Sequence, residues 1–348
     1  MNKEVQKIIP LLLSEKENLS KEEIDLIKSL YRKYGRVAFE EVVKSEKSIR
    51  PFASLMLSQI DCDSDYWYGV HNEYVERNTQ VLSVIDNLFR TYYEKGGRTL
   101  VVVENFGALL SSGISIGCFA SNDVDVSASK DEKPFLIKAF AETGFMLDQR
   151  GSHPIDNNQI STFHNPHAMG GKGWWVNVMW TTTSRAYMVR QERYDKRFEA
   201  ERHNSELYKD TAIRILKPEA MTYYCALHIA IEHFFSASPG MCLYCDVDRV
   251  VRHRSVNWDT VAEWAVEDKA GNRISLIMDV CNYCLGTPIP LDKFDSSSPV
   301  YKKLRSMVVD EENHALNPQL GKIKRLQIEL LADNKTIFSS LLSRIFTR

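Results

Sequence analysis

Asp123-Val124-Asp125-Val126-Ser127-Ala128 is the stretch on which the fold turns. Val124, Val126 and Ala128 alternate with Asp123, Asp125 and Ser127, the period of a half-buried strand with its acidic residues on one face. On a strand, residues i and i+2 stand about 6–7 Å apart on the same side. Two carboxylates aimed at one point can hold a hard cation; Mg²⁺ usually takes one or two such groups and completes its shell with water and phosphates. Solvated aspartates on an exposed sheet edge are the plainer reading of the same three letters.

Upstream, Thr99-Leu100-Val101-Val102-Val103 is a short β-branched run, as a buried strand would be, preceded by Gly96-Gly97. Phe106 to Ser112 reads as one or two helical turns broken by Gly113. Downstream, Phe135 to Thr143 reads as a helix with Gly144 at its end. Gln159–His164 and Trp174–Trp180 read as strands, and Gly170-Gly171-Lys172-Gly173 between them predicts a hairpin. Thr211 to Leu216 is a further strand candidate.

Both flanks are helical. Ser20-Lys21-Glu22-Glu23 is a capping box, with Gly35 as the expected stop. Val81, Leu82, Val84, Ile85, Leu88, Phe89 and Tyr92 keep helical spacing up to Gly96-Gly97. Pro218 is placed for the first position of a helix, and 223–235, 243–253, 259–265 and 274–285 continue the pattern. The expected architecture is α+β: a mixed β-sheet core at 97–216 between an N-terminal helical region, 1–96, and a C-terminal helical domain, 217–348.

Composition is that of a globular chain of 348 residues, 44% hydrophobic and 26% charged, which excludes collagen-like, coiled-coil and largely disordered classes. Lys+Arg number 44 against 46 Asp+Glu, net −2, so no basic excess points to nucleic acid. No apolar run approaches the ~18–20 residues of a membrane span. The start, Met1 to Lys7, leads into no signal-type apolar segment, so a cytoplasmic protein with reduced thiols is expected.

From Leu100 to Ser127 the order strand, glycine-containing turn, short helix, loop and D-x-D strand resembles the opening of the nucleotidyltransferase fold of the DNA-polymerase-β superfamily. Ile213–His228, Leu243-Tyr244-Cys245-Asp246-Val247-Asp248, Val256-Asn257-Trp258 and Cys284-Leu285-Gly286-Thr287-Pro288-Ile289-Pro290 resemble the helical tail of its uncharacterised nucleotidyltransferase-5 group. The resemblance covers about residues 65–290. It implies Mg²⁺-dependent transfer of a nucleoside monophosphate from an NTP to an acceptor, which could be a small molecule, a sugar or a protein, with two cations clamping an in-line displacement.

On that reading Asp123 and Asp125 are catalytic metal ligands, and Asn177 stands where a neighbouring strand supplies the third acid. Phe106 takes the lysine position of the group's lysine–glycine pair, beside Gly107, and Phe119 or Ser121 stands where an arginine is common. Each replacement removes a charge that phosphoryl chemistry uses. A degenerate member that binds a nucleotide or protein partner without catalysis is therefore the alternative; a helical scaffold with an accidental D-x-D is a third. Lys172 can reach a triphosphate or remain a solvated turn residue. Ser127 and Ser129 are phosphate contacts or plain strand positions. Alternation places Trp175 beside Asn177, to stack on a base or to pack the core.

Cys242–Cys245 and Cys281–Cys284 form two C-x-x-C pairs, a zinc site or simply buried core thiols. His228 and His233, at i and i+5, diverge by over ~100° if both lie on one helix. His228 is expected to bond Asp246 across two helices. His153, His164 and His167 gather near the hairpin, and Asp61, Asp63 and Asp65 fail the calcium-loop pattern.

Overall fold

The computed structural model describes residues 2–45, 49–150, 153–154, 159–182, 191–235, 241–312, 315–317 and 322–332. The N-terminal helices are α1 (Lys3–Lys7), α2 (Ile9–Leu13), α3 (Lys21–Ser45), α4 (Arg50–Gln59) and the long α5 (Ser64–Glu94). Gly35 ends the first helix of α3 as expected: it takes φ 72°, which glycine adopts without a Cβ penalty, and a second helix follows across the kink to Ser45.

The central part alternates β1 (Val101–Val102), α6 (Glu104–Ser112), β2 (Asp123–Ser127), α7 (Lys133–Glu142), β3 (Met146–Leu147), the separate ribbon β4 (Gln149–Arg150) and β5 (His153–Pro154), then β6 (Ile160–Asn165), the turn α8 (Ala168–Gly171) and β7 (Trp174–Met179). Next come α9 (Gln191–His203), β8 (Glu206–Leu207) and β9 (Arg214–Ile215). The C-terminal part contains α10 (Pro218–Ile231), α11 (Cys242–His253), α12 (Trp258–Glu267), α13 (Gly271–Leu285), α14 (Pro299–Val308), the ribbon β10 (Val309–Asp310) and β11 (Ala315–Leu316), and α15 (Lys322–Ala332). The architecture is α+β, as expected. None of the described helices is long and apolar enough to cross a membrane.

Seven strands make one mixed sheet in the order β3-β6-β7-β2-β1-β9-β8. β2 runs antiparallel to β1 and parallel to β7, with Asp123 opposite Trp175 and Asp125 opposite Asn177. The predicted hairpin is β6 with β7, antiparallel, His164 opposite Trp175. Strand alternation then sorts the sheet. Val124, Val126, Val176, Val178 and Trp174 pack with Val81, Ile85, Leu88 and Phe89 of α5 and with Leu136, Ala139 and Phe140 of α7. Asp123, Asp125, Trp175 and Asn177 are left on the other face. Each fully buried side chain of this kind contributes roughly 1.5–3 kcal/mol, so a one-residue slip of β2 against β7 would forfeit several such terms at once.

Two further apolar clusters bracket the sheet. One joins α10 to α14; the other joins α1 to α4 with the first turns of α5 and takes in Cys245 of α11. α5 thus runs from the N-terminal cluster into the sheet's own core, and the N-terminal and C-terminal helices meet across the acidic face of β2 and β7.

Candidate functional site

Asp123 and Asp125 converge. The Asn177 side-chain nitrogen donates to Asp123 Oδ2 at 2.9 Å and to Asp125 Oδ1 at 3.0 Å, so both carboxylates reach one point beside the β2–β7 pair. Asn177 Oδ1 faces away and accepts from the Thr162 hydroxyl at 2.8 Å. As placed, Asn177 presents its NH₂ to the acids; ligation through its oxygen requires the amide to turn over and give up Thr162. Ser121 Oγ donates to Asp123 Oδ1 from the preceding loop.

A further acid stands beside the pair. Val103 N–H donates to the Asp125 carbonyl at 3.0 Å, which carries β1 one residue further along β2 and delivers the next side chain, Glu104, to the Asp125 carboxyl. Glu104 opens α6 with φ 55°, a left-handed conformation that a β-carbon residue adopts at a cost of order 1–3 kcal/mol. Its Oε1 lies 3.2 Å from His228 Nδ1 of α10, and the Nε2 atoms of His228 and His233 are 3.0 Å apart. Burial pushes the Asp125 carboxyl well above its usual range, and the charges of Glu104 and Asp123 push it the same way. Burial pushes Glu104 up too, but His228 outweighs it and the carboxyl is held low; burial opposes a charge on His228, and Glu104 outweighs that in turn. Of these groups Asp125 is the one that resists ionisation, while Glu104 and His228 stabilise each other's charge.

The donor set suits a hard cation. Two carboxylate oxygens meet at one point among crowded negative charge, and oxygen donors with few protein ligands are what Mg²⁺ accepts. Among the described residues no three His, Cys, Asp or Glu side chains gather as a closed metal cage, so water and phosphate oxygens would have to complete the shell.

A cavity of about 550 Å³ opens against Asp123, large enough for a nucleotide. Its apolar wall includes Phe52 of α4, Leu109 of α6, Phe119 and Leu243; its polar wall includes Asn105, Ser121, Asp246 and Arg249. The three regions of the chain all contribute. α5 holds the loop that forms one side. Asn78 Nδ2 donates to the carbonyls of Ile116 and Phe119 at 2.7 and 2.9 Å, Arg77 Nη2 donates to those of Phe119 and Ser121 at 3.2 and 2.8 Å, and His71 Nε2 meets Ser115 Oγ at 2.8 Å. His71 and Asn78, two turns apart, are polar groups on an apolar helix face, and that anomaly was the signal available for finding them.

The residues expected at the site divide. Asp123 and Trp175 line the cavity, and Trp175 stacks one face on His164 with ring centres 4.3 Å apart. Asp125 and Asn177 lie immediately behind. Gly107 does not reach the cavity. It is buried where α6 crosses β1, and an added Cβ would stand 2.8 Å from the Val102 carbonyl oxygen and 2.9 Å from Met221 Cε. Phe106, in the lysine position, is buried against Phe119 at 4.7 Å. Ser127 is buried at the far end of β2, donating to the Met179 carbonyl at 3.1 Å and accepting from Arg202 at 3.0 Å. Ser129 donates to Glu199, and Lys172 is exposed in its turn, outside the cavity lining.

Two expectations about histidine are corrected. His228 bonds Glu104 and His233, while Asp246 pairs with Arg249 at 3.7 Å. The rings of His228 and His233 meet because α10 ends at Ile231; beyond it Phe234 and Phe235 take positive φ and turn the chain back. The side chain of His153 lies outside the described residues, and His167 is exposed. The four cysteines of the C-x-x-C pairs are free thiols packed in apolar clusters, Cys245 in one and the other three in another.

No curated protein and no solved structure matches the chain. A family model does: residues 65–286 match the uncharacterised nucleotidyltransferase family, more than half of the chain. That span starts at the head of α5, takes in the sheet, the Asp123–Asp125 strand and the Glu104 helix, and ends at the cap of α13, so the chain belongs to the uncharacterised nucleotidyltransferase family.

Proposed function

We propose that this protein transfers the monophosphate of an NTP to an acceptor in the cavity beside β2, with Mg²⁺ held by Asp123 and Asp125. One observation carries the reading: the two aspartates meet on a single amide nitrogen, 2.9 and 3.0 Å away, at the edge of a nucleotide-sized cavity. Bound there, the cation would supply Lewis-acid stabilisation of the charge that develops on the transferred phosphoryl group. The rest falls to the chain. The sheet register fixes the spacing of the two carboxylates, Trp175 offers its free edge and face to a base, and Phe52, Leu109, Phe119 and Leu243 keep bulk water from the reacting end. The acceptor would lie among Phe52 of the N-terminal helices and Leu243 and Asp246 of α11, which share the cavity lining.

A binding-only reading has its own observation. Asn177 commits its oxygen to Thr162, and Phe106 brings no cation to the phosphates. Calorimetric titration of ATP, GTP, CTP and UTP, with Mg²⁺ and with EDTA, separates the readings when paired with a product assay. Catalysis requires that binding depend on metal and that Asp123→Asn/Asp125→Asn abolish both binding and transfer in a folded protein. Metal-dependent binding without turnover favours the degenerate member, and no binding at all refutes nucleotidyl transfer and leaves only a degenerate member with a protein partner.

A further inference from the structure

Arg249 is the cation of the cavity wall, and its surroundings are incomplete. Arg249 is 4% exposed and projects from α11, where it lines the cavity that Asp123 also lines and a second, smaller one beside Leu13 of α2. One face of the guanidinium rests on the Phe52 ring, 3.5 Å from its centre, and Nη1 is 3.7 Å from Asp246 Oδ1, an ion pair too long for a hydrogen bond. Nη2 is buried with no hydrogen-bond partner. A buried N–H left unmade forfeits its hydration and gains no bond in return, and a guanidinium is the side chain whose parallel N–H groups match two oxygens of a phosphate.

We infer that Arg249 grips the phosphate oxygens of the NTP, supplying from a C-terminal helix the positive charge that Phe106 fails to supply from α6. The inference rests on the proposed nucleotidyl transfer and adds to it the residue that recognises the triphosphate. Phe52 orients the guanidinium by stacking, so the N-terminal helices have a part in nucleotide binding as well. Asp246 competes with the ligand for the same cation, which makes its carboxylate a negative determinant of affinity. Arg77, the other arginine near this loop, is not equivalent. Its Nη2 is committed to the carbonyls of Phe119 and Ser121.

Titration calorimetry at saturating Mg²⁺, with the four NTPs, their nucleosides and tripolyphosphate, tests this on wild type and on Arg249→Gln, Arg249→Lys and Asp246→Asn. Arg249→Gln should weaken NTP and tripolyphosphate binding roughly 10- to 100-fold, the scale of charge-assisted hydrogen bonds, and leave nucleoside binding unchanged. Arg249→Lys, which keeps the charge and loses the fork, should fall between; it also carries the test if the Gln variant does not fold. At pH 8, where the Asp246 carboxyl is ionised, Asp246→Asn should tighten triphosphate binding. NTP binding that needs Asp123 and Asp125 but is equal in wild type and both Arg249 variants overturns the inference and leaves the proposed function standing. Absence of NTP binding in wild type overturns both.

Discussion

Asp246→Asn has a stability effect that can be worked out beforehand. Asp246 is buried at the cavity wall, where loss of hydration pushes its carboxyl up to about 7 from the usual 3.8, Arg249 and His228 opposing and Glu104 adding to the rise. An acid whose folded pKa is raised binds its proton more tightly in the folded state than in the unfolded one. Stability is therefore lost as pH climbs from the unfolded value to the folded one, and the loss is complete above it. At about 1.4 kcal/mol per unit the full penalty is about 4 kcal/mol, and roughly 2–3 kcal/mol of it develops between pH 5 and pH 8. An asparagine imitates the protonated carboxyl and carries none of this penalty. The variant should thus lead wild type by about 1–2 kcal/mol at pH 5 and by about 4 kcal/mol at pH 8, a widening of about 2–3 kcal/mol. Arg249 on its own helix, His228 on α10 and Glu104 on α6 face the group, and their own titrations are shared by both proteins. Urea unfolding of the pair at both pH values reads the difference directly. Parallel stability profiles, or a variant that loses ground at pH 8, would refute the account of a carboxyl kept neutral by burial.

Two further expectations concern the supports of the site. His228→Ala leaves Glu104 buried without its imidazole partner, and removing one member of such a pair costs about 3–5 kcal/mol; a urea midpoint that scarcely moves would show that Glu104 is not held as a carboxylate. Asn78→Ala strips the donor from the carbonyls of Ile116 and Phe119, at 2.7 and 2.9 Å, and should cost about 1–3 kcal/mol. Amide exchange should then accelerate in the loop from Ile114 to Asn122 more than in β2, whereas uniform acceleration would mean the loop is held by something else.

Much of the fold was legible because it rests on local rules. The period of two in Asp123–Ala128 and Trp174–Met179 sorted both strands onto their faces, and the glycines between β6 and β7 announced the hairpin. Pro218 opened α10 as expected. Gly35 stopped its helix as expected, at a positive φ, and what the sequence left unread was the second helix that runs on from Arg36 to Ser45. The site was legible only where it lies on those strands. Glu104 comes directly after a β-branched run and opens an apolar helix, where an acid reads as a favourable N-terminal charge; its position beside Asp125 depends on a backbone bond across two strands and on a left-handed φ. His228 and His233 were placed apart by assuming that one helix carries both, when the helix ends between them.

The charges that nucleotidyl transfer needs are a property of a place, whereas a motif counts positions. Counted by position, this chain lacks a lysine at Phe106, an arginine near Phe119 and an acid at Asn177. Counted by place, Glu104 brings an acid to Asp125 from α6, and Arg249 brings a cation to the cavity from α11. The two replacements are not equal. Glu104 is committed to His228 and to Asp125, so it adds its charge to the aspartate pair without lining the cavity. Arg249 lines the cavity and carries a buried nitrogen that no protein group satisfies. A buried guanidinium nitrogen left unpaired costs stability unless a ligand completes it. On the proposed function a phosphate would complete Arg249, and transfer would require the Asn177 amide to turn away from Thr162 before its oxygen could face an ion.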